Sequence, residues 1–407
     1  MPRADQTAPH GVRLPVVLVL FGVAYFLSLF FRTVNAILSE RLEADLGLDT
    51  ASLGLLTAAY FFGVGLAQIP IGICLDAYGP RRVQGVTLCI AAVGIAIFGL
   101  TDSVPLLVLA RTLIGIGLAG CLMSAFQVSM LWLSADKVPM ANGLYLAAGG
   151  LGALAATAPV NFALEFLTWQ QMFLLIAVVT LALAGGIAAV TPDPASTSKL
   201  SWRTRLRTLS MVARNRRLWR YLPLTALCFG TGSAMQGLWA ADWMRAVAGH
   251  DANAIGWTLA MMALSLTVGS AVGGVLSLVL ERRGFKLEHV ILGSACLFIL
   301  AEIGLAILPP DRSFLPWLLF ALTYNVVTLS YAHVARAQPT EGVGSSNALM
   351  NSMVILVTFT IQFGLGVFLA WAGEADPAAS YLLAFGGLIG LQAIALVWCC
   401  YPTARQS

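Results

Sequence analysis

Apolar runs of about twenty residues recur along almost the whole chain and are parted by short polar joints. A run of that length crosses the hydrocarbon of a bilayer as an α-helix, because lipid offers no partner to exposed backbone N–H and C=O groups. Charge is correspondingly scarce. Only 10% of the 407 residues are charged and 59% are hydrophobic, whereas a soluble domain carries about 25% charged residues. Twelve runs with their joints use nearly all of the chain and leave no length for a separate soluble domain. The expected fold class is an all-α membrane protein with twelve transmembrane helices in two six-helix pseudo-symmetric halves.

The pattern predicts spans over Leu14–Glu40, Ala51–Leu75, Val83–Leu100, Val104–Leu133 and Val138–Leu167, with a sixth ending near Val190. The second set covers Tyr221–Ala246, Ala252–Leu280, Leu287–Leu308, Phe314–Arg336, Gly344–Trp371 and Ala378–Cys400. The polar residues before Leu14 lead into a run far longer than a signal h-region, so the first run is expected to remain as a span. A single shift of 202 residues pairs Asp49 with Asp251, Gly54 with Gly256, Gly72 with Gly274, Arg81 with Arg283 and Trp169 with Trp371. On this reading the tryptophans close spans five and eleven. The offset favours duplication, giving halves at 1–190 and 221–407 joined by a linker at 191–220. Such duplicated carriers hold substrate near the midplane, where the repeats meet.

The linker concentrates cations: Lys199, Arg203, Arg205, Arg207, Arg214, Arg216, Arg217 and Arg220. Positive loops stay in the cytoplasm, which sets both termini there and the chain in a bacterial inner membrane. The formal net charge of +4 arises from these loops and implies no nucleic-acid partner. The seven cysteines lie mostly inside apolar runs, at no metal-like spacing, and read as small packing residues. No pattern calls for a cofactor or metal; Met235, Met261, Met262 and His250 as metal ligands are the weakest reading. No nucleophile–base pair points to an enzyme.

The joint Gly72-Ile-Cys-Leu-Asp76-Ala-Tyr-Gly79-Pro80-Arg81-Arg82 parts the second and third spans. Gly79-Pro80 forces a turn between an acid and paired cations. It resembles the signature loop of the major facilitator superfamily, Gly-x-x-x-Asp-x-x-Gly-Arg-Arg/Lys, with Pro80 inserted and Ala77 where an arginine often follows the Asp. The resemblance implies the major facilitator fold. It also implies a gating role for Gly72, Asp76, Gly79, Arg81 and Arg82 without substrate contact. Glu281-Arg282-Arg283-Gly284 after span eight reads as a degenerate copy. Arg111, in Arg-Thr-Leu-Ile-Gly-Ile-Gly, resembles the family's fourth-helix motif, which implies proton coupling or bracing.

Arg32 is the strongest candidate for contact with a solute. At the depth predicted for it an arginine costs roughly 2.5–3.5 kcal/mol on insertion scales, so an internal position is favoured over the lipid face. A guanidinium in a closed cavity suits a carboxylate, phosphate or nitrate by paired hydrogen bonds. The alternative is a structural arginine paired with a helix end, Glu40 or Asp45. Asn35, one turn on, could orient Arg32 or donate to the same ligand. Gln236 and Trp239 in span seven, with Trp243 nearer the membrane boundary, form the expected opposing wall. Tyr324, Asn325, Thr328 and Tyr331 in span ten suggest another wall, and Gln127 in span four is a weaker candidate. Glu302 falls in span nine, a peripheral position by the resemblance. Spans one, four, seven and ten carry no Asp or Glu near the midplane; the closest is Asp242, toward the periplasmic end of span seven, where Arg245 could pair with it.

Phe31-Arg32-Thr33-Val34-Asn35, Ala141-Asn142-Gly143-Leu144 and Gly149-Gly150-Leu151-Gly152-Ala153-Leu154-Ala155-Ala156-Thr157-Ala158-Pro159 resemble bacterial carriers labelled nitrate/nitrite-porter-like. Those porters share buried arginines in spans two and eight, which this chain lacks. The expectation is therefore a secondary transporter for a small anion such as an organic carboxylate, with uptake as the direction, working as a monomer with protons as a coupling ion. The alternative is a proton-coupled exporter of drugs or metabolites, against which stands the missing Gly-Pro pair in span five.

Overall fold

The computed structural model describes residues 14–134, 137–193, 210–336, 343–372 and 376–401. Asp76, and the linker cations Lys199, Arg203, Arg205 and Arg207, lie outside the residues whose side chains are described. The described residues are helical nearly throughout. Ten helices are long and apolar enough to cross a bilayer, and Met140–Ala155 is a shorter apolar one. Arg216–Ala234, continued through Ala246, supplies the remaining span. The protein is a twelve-helix membrane protein.

Two compact units emerge: Met1–Leu48 with Leu55–Arg205, and Asp49–Gly54 with Leu206–Ser407. In the first unit, span one packs chiefly on span five, and in the second, span seven packs chiefly on span eleven. Equivalent helix starts use equivalent chemistry. Asp49 accepts from the Ser52 amide (2.9 Å) at the start of span two. Asp251 accepts from the Ala254 amide (2.7 Å) at the start of span eight. Each carboxylate thereby covers one of the N–H groups a helix start leaves open. Ser52 also holds the Asp49 carboxyl below the usual carboxylate range.

The tryptophan pair is not equivalent. Trp169 is the first residue of helix Trp169–Val190, not the end of span five, because Thr168 and Gln171 form a capping box that starts the helix there. Trp169 is 1% exposed and donates to Asp45 (2.9 Å), whereas Trp371 is 81% exposed near the end of span eleven.

Several spans run on through short irregularities at which the backbone mostly stays in the right-handed helical region. Span one is Leu14–Thr33 followed by Asn35–Leu46. Span four divides into Val104–Leu118 and Cys121–Trp132, and span five into Val138–Ala155 and Ala158–Ala163. Span seven contains a π-helical turn at Met235–Trp239, and span ten a 3-10 turn at Val326–Thr328. The second and third spans together occupy Thr50–Leu100, where the non-helical residue at the kink is Gly79 (φ 78°, ψ 165°). That backbone conformation suits glycine, and the following Pro80 disfavours helix at the residue before it.

Spans two and four meet at backbone distance. A Cβ on Gly115 would stand 2.2 Å from the Tyr60 carbonyl oxygen. The absent side chain thus sets Tyr60 beside Arg111, one turn earlier on span four. Gly115→Leu is expected to lower folding stability by at least about 1–3 kcal/mol through overpacking. Thermal unfolding of the purified protein in detergent checks this, and an unchanged transition would contradict the close packing.

Candidate functional site

At Val34 span one keeps helical backbone, and the Val34 amide still donates to the Phe30 carbonyl at 2.9 Å, so the break is confined to one rung of the hydrogen-bond ladder. In an unbroken helix the Phe31 carbonyl would accept from the Asn35 amide. Here Arg111 on span four takes that carbonyl with Nη2, at 3.1 Å. Arg111 is completely buried, with its guanidinium 5.5 Å from the Tyr60 ring centroid and 6.0 Å from that of Phe98. Its Nε and Nη1 have no hydrogen-bond partner among the described residues. A charge in such surroundings is held by ring faces and by the carbonyl left open at the break.

Arg32 is the penultimate residue of the first half of that span, half-buried, with its guanidinium 5.8 Å from the Phe61 ring centroid. It thus sits beside the one open rung of an otherwise helical span. Its charge and that of Arg111 both act on the Tyr60 hydroxyl. Tyr60 donates to the Ser28 carbonyl at 2.8 Å, one turn before Arg32. Asn35 opens the second segment, is buried, and donates to Thr57 Oγ1 on span two (3.0 Å), while its Oδ1 has no partner among the described residues. Asp45, a conceivable mate for Arg32, accepts from Trp169. Arg32, Asn35, Thr57, Tyr60 and Arg111 thus gather around the break. Gln127 is elsewhere, donating to the Leu75 carbonyl at 3.2 Å.

The second unit has its own polar seam at helix irregularities. Tyr324 donates to Gln236 Oε1 at 2.6 Å, joining the π-turn of span seven to the residues just before the 3-10 turn of span ten. Trp239 is buried, and its indole nitrogen turns to Gln362 on span eleven. With its amide turned to suit its neighbours, Gln362 accepts from Trp239 Nε1 (2.8 Å) and donates to the Ala234 carbonyl (3.0 Å), next to the π-turn. Asn325 donates to Ser270 on span eight (2.6 Å), and Tyr331 donates to Asn351 on span eleven (3.3 Å). Trp243 packs edge-on to Trp317 and is 3% exposed, so it is interior and not a boundary residue. Asp242 accepts from the Tyr381 hydroxyl of span twelve. The π-turn was not foreseen; Gly237 at its centre was the only local sign.

The hinge residues engage their own unit. Arg81 Nε donates to the Ala188 carbonyl at 2.8 Å, in the last turn of span six, and both Arg81 and Arg82 reach Asp193 at 3.4 and 3.5 Å. A cation on open carbonyls at a helix C-terminus is a favourable pairing. Gly72 is inside the helix, with open space where a Cβ would be. In the second unit Arg336 and Glu281 form a two-pronged ion pair between the ends of spans ten and eight. A crevice of about 490 Å³ among spans eight, nine and ten is lined by leucines with Ser265 the one hydroxyl, a lining unsuited to a charged solute. Among the described residues no group of three or more His, Cys, Asp or Glu is placed to hold a metal.

Residues 21–361 match the model of the Major Facilitator Superfamily. The chain belongs to that superfamily. Among curated relatives, the probable sulfoacetate transporter of Cupriavidus necator is 25% identical over 64% of this chain and 64% of its own length. The probable L-galactonate transporter of Escherichia coli is 27% identical over 44% of this chain and 40% of its own. The nitrate/nitrite transporter of Picosynechococcus sp. is 34% identical over 33% of this chain and 25% of its own. The matched region is thus less than two thirds of each relative's length. A bacterial homologue of the human lysosomal transporter Spinster has the same fold, with a TM-score of 0.75 at 18% identity over 95% of this chain and 96% of that one. The nucleoside transporter NupG, at a TM-score of 0.72 and 13% identity over 95% of this chain and 100% of its own, shares it too.

Within this superfamily fold the Arg111 contact is a brace. Arg111→Met, which keeps the length and removes the donors, leaves the Phe31 carbonyl unmet. It should cost about 1–3 kcal/mol, read as a lowered unfolding temperature. Arg111→Lys should recover part of that loss; a Met variant as stable as the wild type would rule the brace out.

Proposed function

We propose that the protein is a secondary transporter that carries a small anionic solute, an organic carboxylate or sulfonate, across the bacterial inner membrane. The observation that carries this reading is Arg32 at the end of the first segment of span one, half-buried over Phe61, with Arg111 on the far side of Tyr60. Two guanidiniums near one break make a region of positive potential at membrane depth, and a guanidinium offers the paired donors that a carboxylate or sulfonate accepts. Broken helices that present freed backbone beside polar side chains are a usual way for carriers to build a solute site. Asn35 adds an amide at the same break. The named solutes of three relatives, sulfoacetate, L-galactonate and nitrate, are anions.

Arg32 and Asn35 are assigned to the solute. Gln236, Tyr324, Asn325 and Tyr331 are polar groups of the second unit that a solute would meet during transport. Trp239 is assigned to supporting packing, since its one donor is engaged, and Gln127 likewise. Gly72, Asp76, Gly79, Arg81 and Arg82 serve the conformational change, and uptake as a monomer with protons as the coupling ion completes the reading. Cations at the start of span seven, Arg216, Arg217 and Arg220, agree with a cytoplasmic linker and cytoplasmic termini. The halves of the carrier are 1–190 and 221–407, with the linker at 191–220.

The deciding experiment is ligand-induced thermal stabilisation of the purified protein with sulfoacetate, galactonate, nitrate, phosphate, amino acids and cationic drugs, beside Arg32→Ala. A ligand at one hundred times its Kd should stabilise by about 2.7 kcal/mol. The expected result is stabilisation by an organic anion that is lost in Arg32→Ala. Stabilisation only by cationic or apolar compounds, unchanged in the variant, would replace this reading with an exporter. In liposomes, Arg32→Lys should lower uptake of the stabilising anion at least tenfold while protein levels hold, since lysine keeps the charge and loses the planar fork. Asp76→Asn should slow uptake with the thermal stabilisation retained; a selective loss of binding would contradict its gating role.

A further inference from the structure

Glu302, in helix Leu287–Ile307, is completely buried, and neither carboxyl oxygen has a hydrogen-bond partner among the described residues. The Gln392 amide of span twelve stands beside it. Gln392 donates to Thr231 Oγ1 of span seven at 3.2 Å, and its own Oε1 has no partner. Three buried acceptor oxygens, two of Glu302 and one of Gln392, thus have no hydrogen-bond partner among the described residues. Its ionisable neighbour is the Cys228 thiol on span seven.

Among the described residues no cation contacts the carboxyl. Arg216, Arg217 and Arg220 are in the opening turns of span seven, while Asp242 and Arg245 lie beyond its π-turn. Glu281 and Arg282 end span eight, and His333 is in the last turn of span ten. On span twelve, Tyr381 binds Asp242. On its own helix, Glu288 is in the first turn and accepts from Tyr221. Glu302 is enclosed by its burial, with the Gln392 amide and the Cys228 thiol beside it. A carboxylate so placed would be an unpaired charge in a low-dielectric interior. One proton removes the charge and also supplies the missing donor.

We propose that Glu302, Gln392 and Thr231 form a reversible proton-binding site inside the second unit, in which Glu302 is a neutral carboxylic acid whose O–H donates to Gln392 Oε1. Losing that proton requires water or a cation to reach the cluster, so release is tied to a parting of spans seven, nine and twelve. A conformational state that opens the cluster binds the proton less tightly than the closed one, and a pH difference then biases the two. The site extends the carrier reading without depending on the identity of the anion.

The test is infrared spectroscopy of the wild type, Glu302→Gln and Gln392→Leu in liposomes, in H2O and D2O, with pH as the variable and no transported solute present. The expected result is a carboxylic-acid C=O band at neutral pH that shifts in D2O, is lost in Glu302→Gln, and moves to higher frequency in Gln392→Leu. Raising the pH should remove the band reversibly. A neutral-pH spectrum in which Glu302→Gln removes no such band would overturn the proposal. So would a band unmoved by Gln392→Leu, or one that survives alkali until the protein unfolds. Failure of the anion panel leaves these results standing, and the reverse also holds.

Discussion

Hydrocarbon gives no hydrogen bond to a backbone group, and this constraint organises the whole molecule. A continuous helix meets it automatically. Each interruption of a helix must meet it with a side chain, and the interruptions are where the polar residues are found. The carbonyl of Phe31 is taken by Arg111, and the carbonyl of Ala234 is met by Gln362. The chemistry of the protein and its departures from regular helix are two descriptions of one solution.

This explains why the arginines can reside at membrane depth. Arg111 is tolerated because it answers a freed carbonyl and is enclosed by aromatic rings. Arg32 is half-buried with its guanidinium over the Phe61 ring, beside the same open rung. Glu302 shows the opposite case: a carboxyl in a regular helix, contacted by no cation among the described residues, whose neutral form fits the acceptors around it.

The run of apolar segments made twelve helices legible in the sequence, since length and polarity alone decide whether a segment can span. The turn at Gly79-Pro80 was legible too, as both residues act through their own backbone. The break at Val34 was not, because Phe31-Arg32-Thr33-Val34-Asn35 holds neither glycine nor proline. It persists through a contact from span four, eighty residues away in sequence, and no local pattern reports that. Trp169 was misplaced for a related reason: the capping box of Thr168 and Gln171 carries the helix start, and the 202-residue offset drew attention to the tryptophan instead. Arg32, Asn35 and Arg111 were legible as residues out of keeping with their surroundings. Tyr60 and Thr57, which complete that group, were not, since a tyrosine and a threonine in an apolar helix are unremarkable until their neighbours are known.

Gly115 packs against the Tyr60 carbonyl. Where two helices touch through their backbones, the spacing is set by an absence. Every residue larger than glycine at position 115 would push spans two and four apart, and with them Tyr60 and Arg111. The geometry of that wall is therefore held by a single missing side chain.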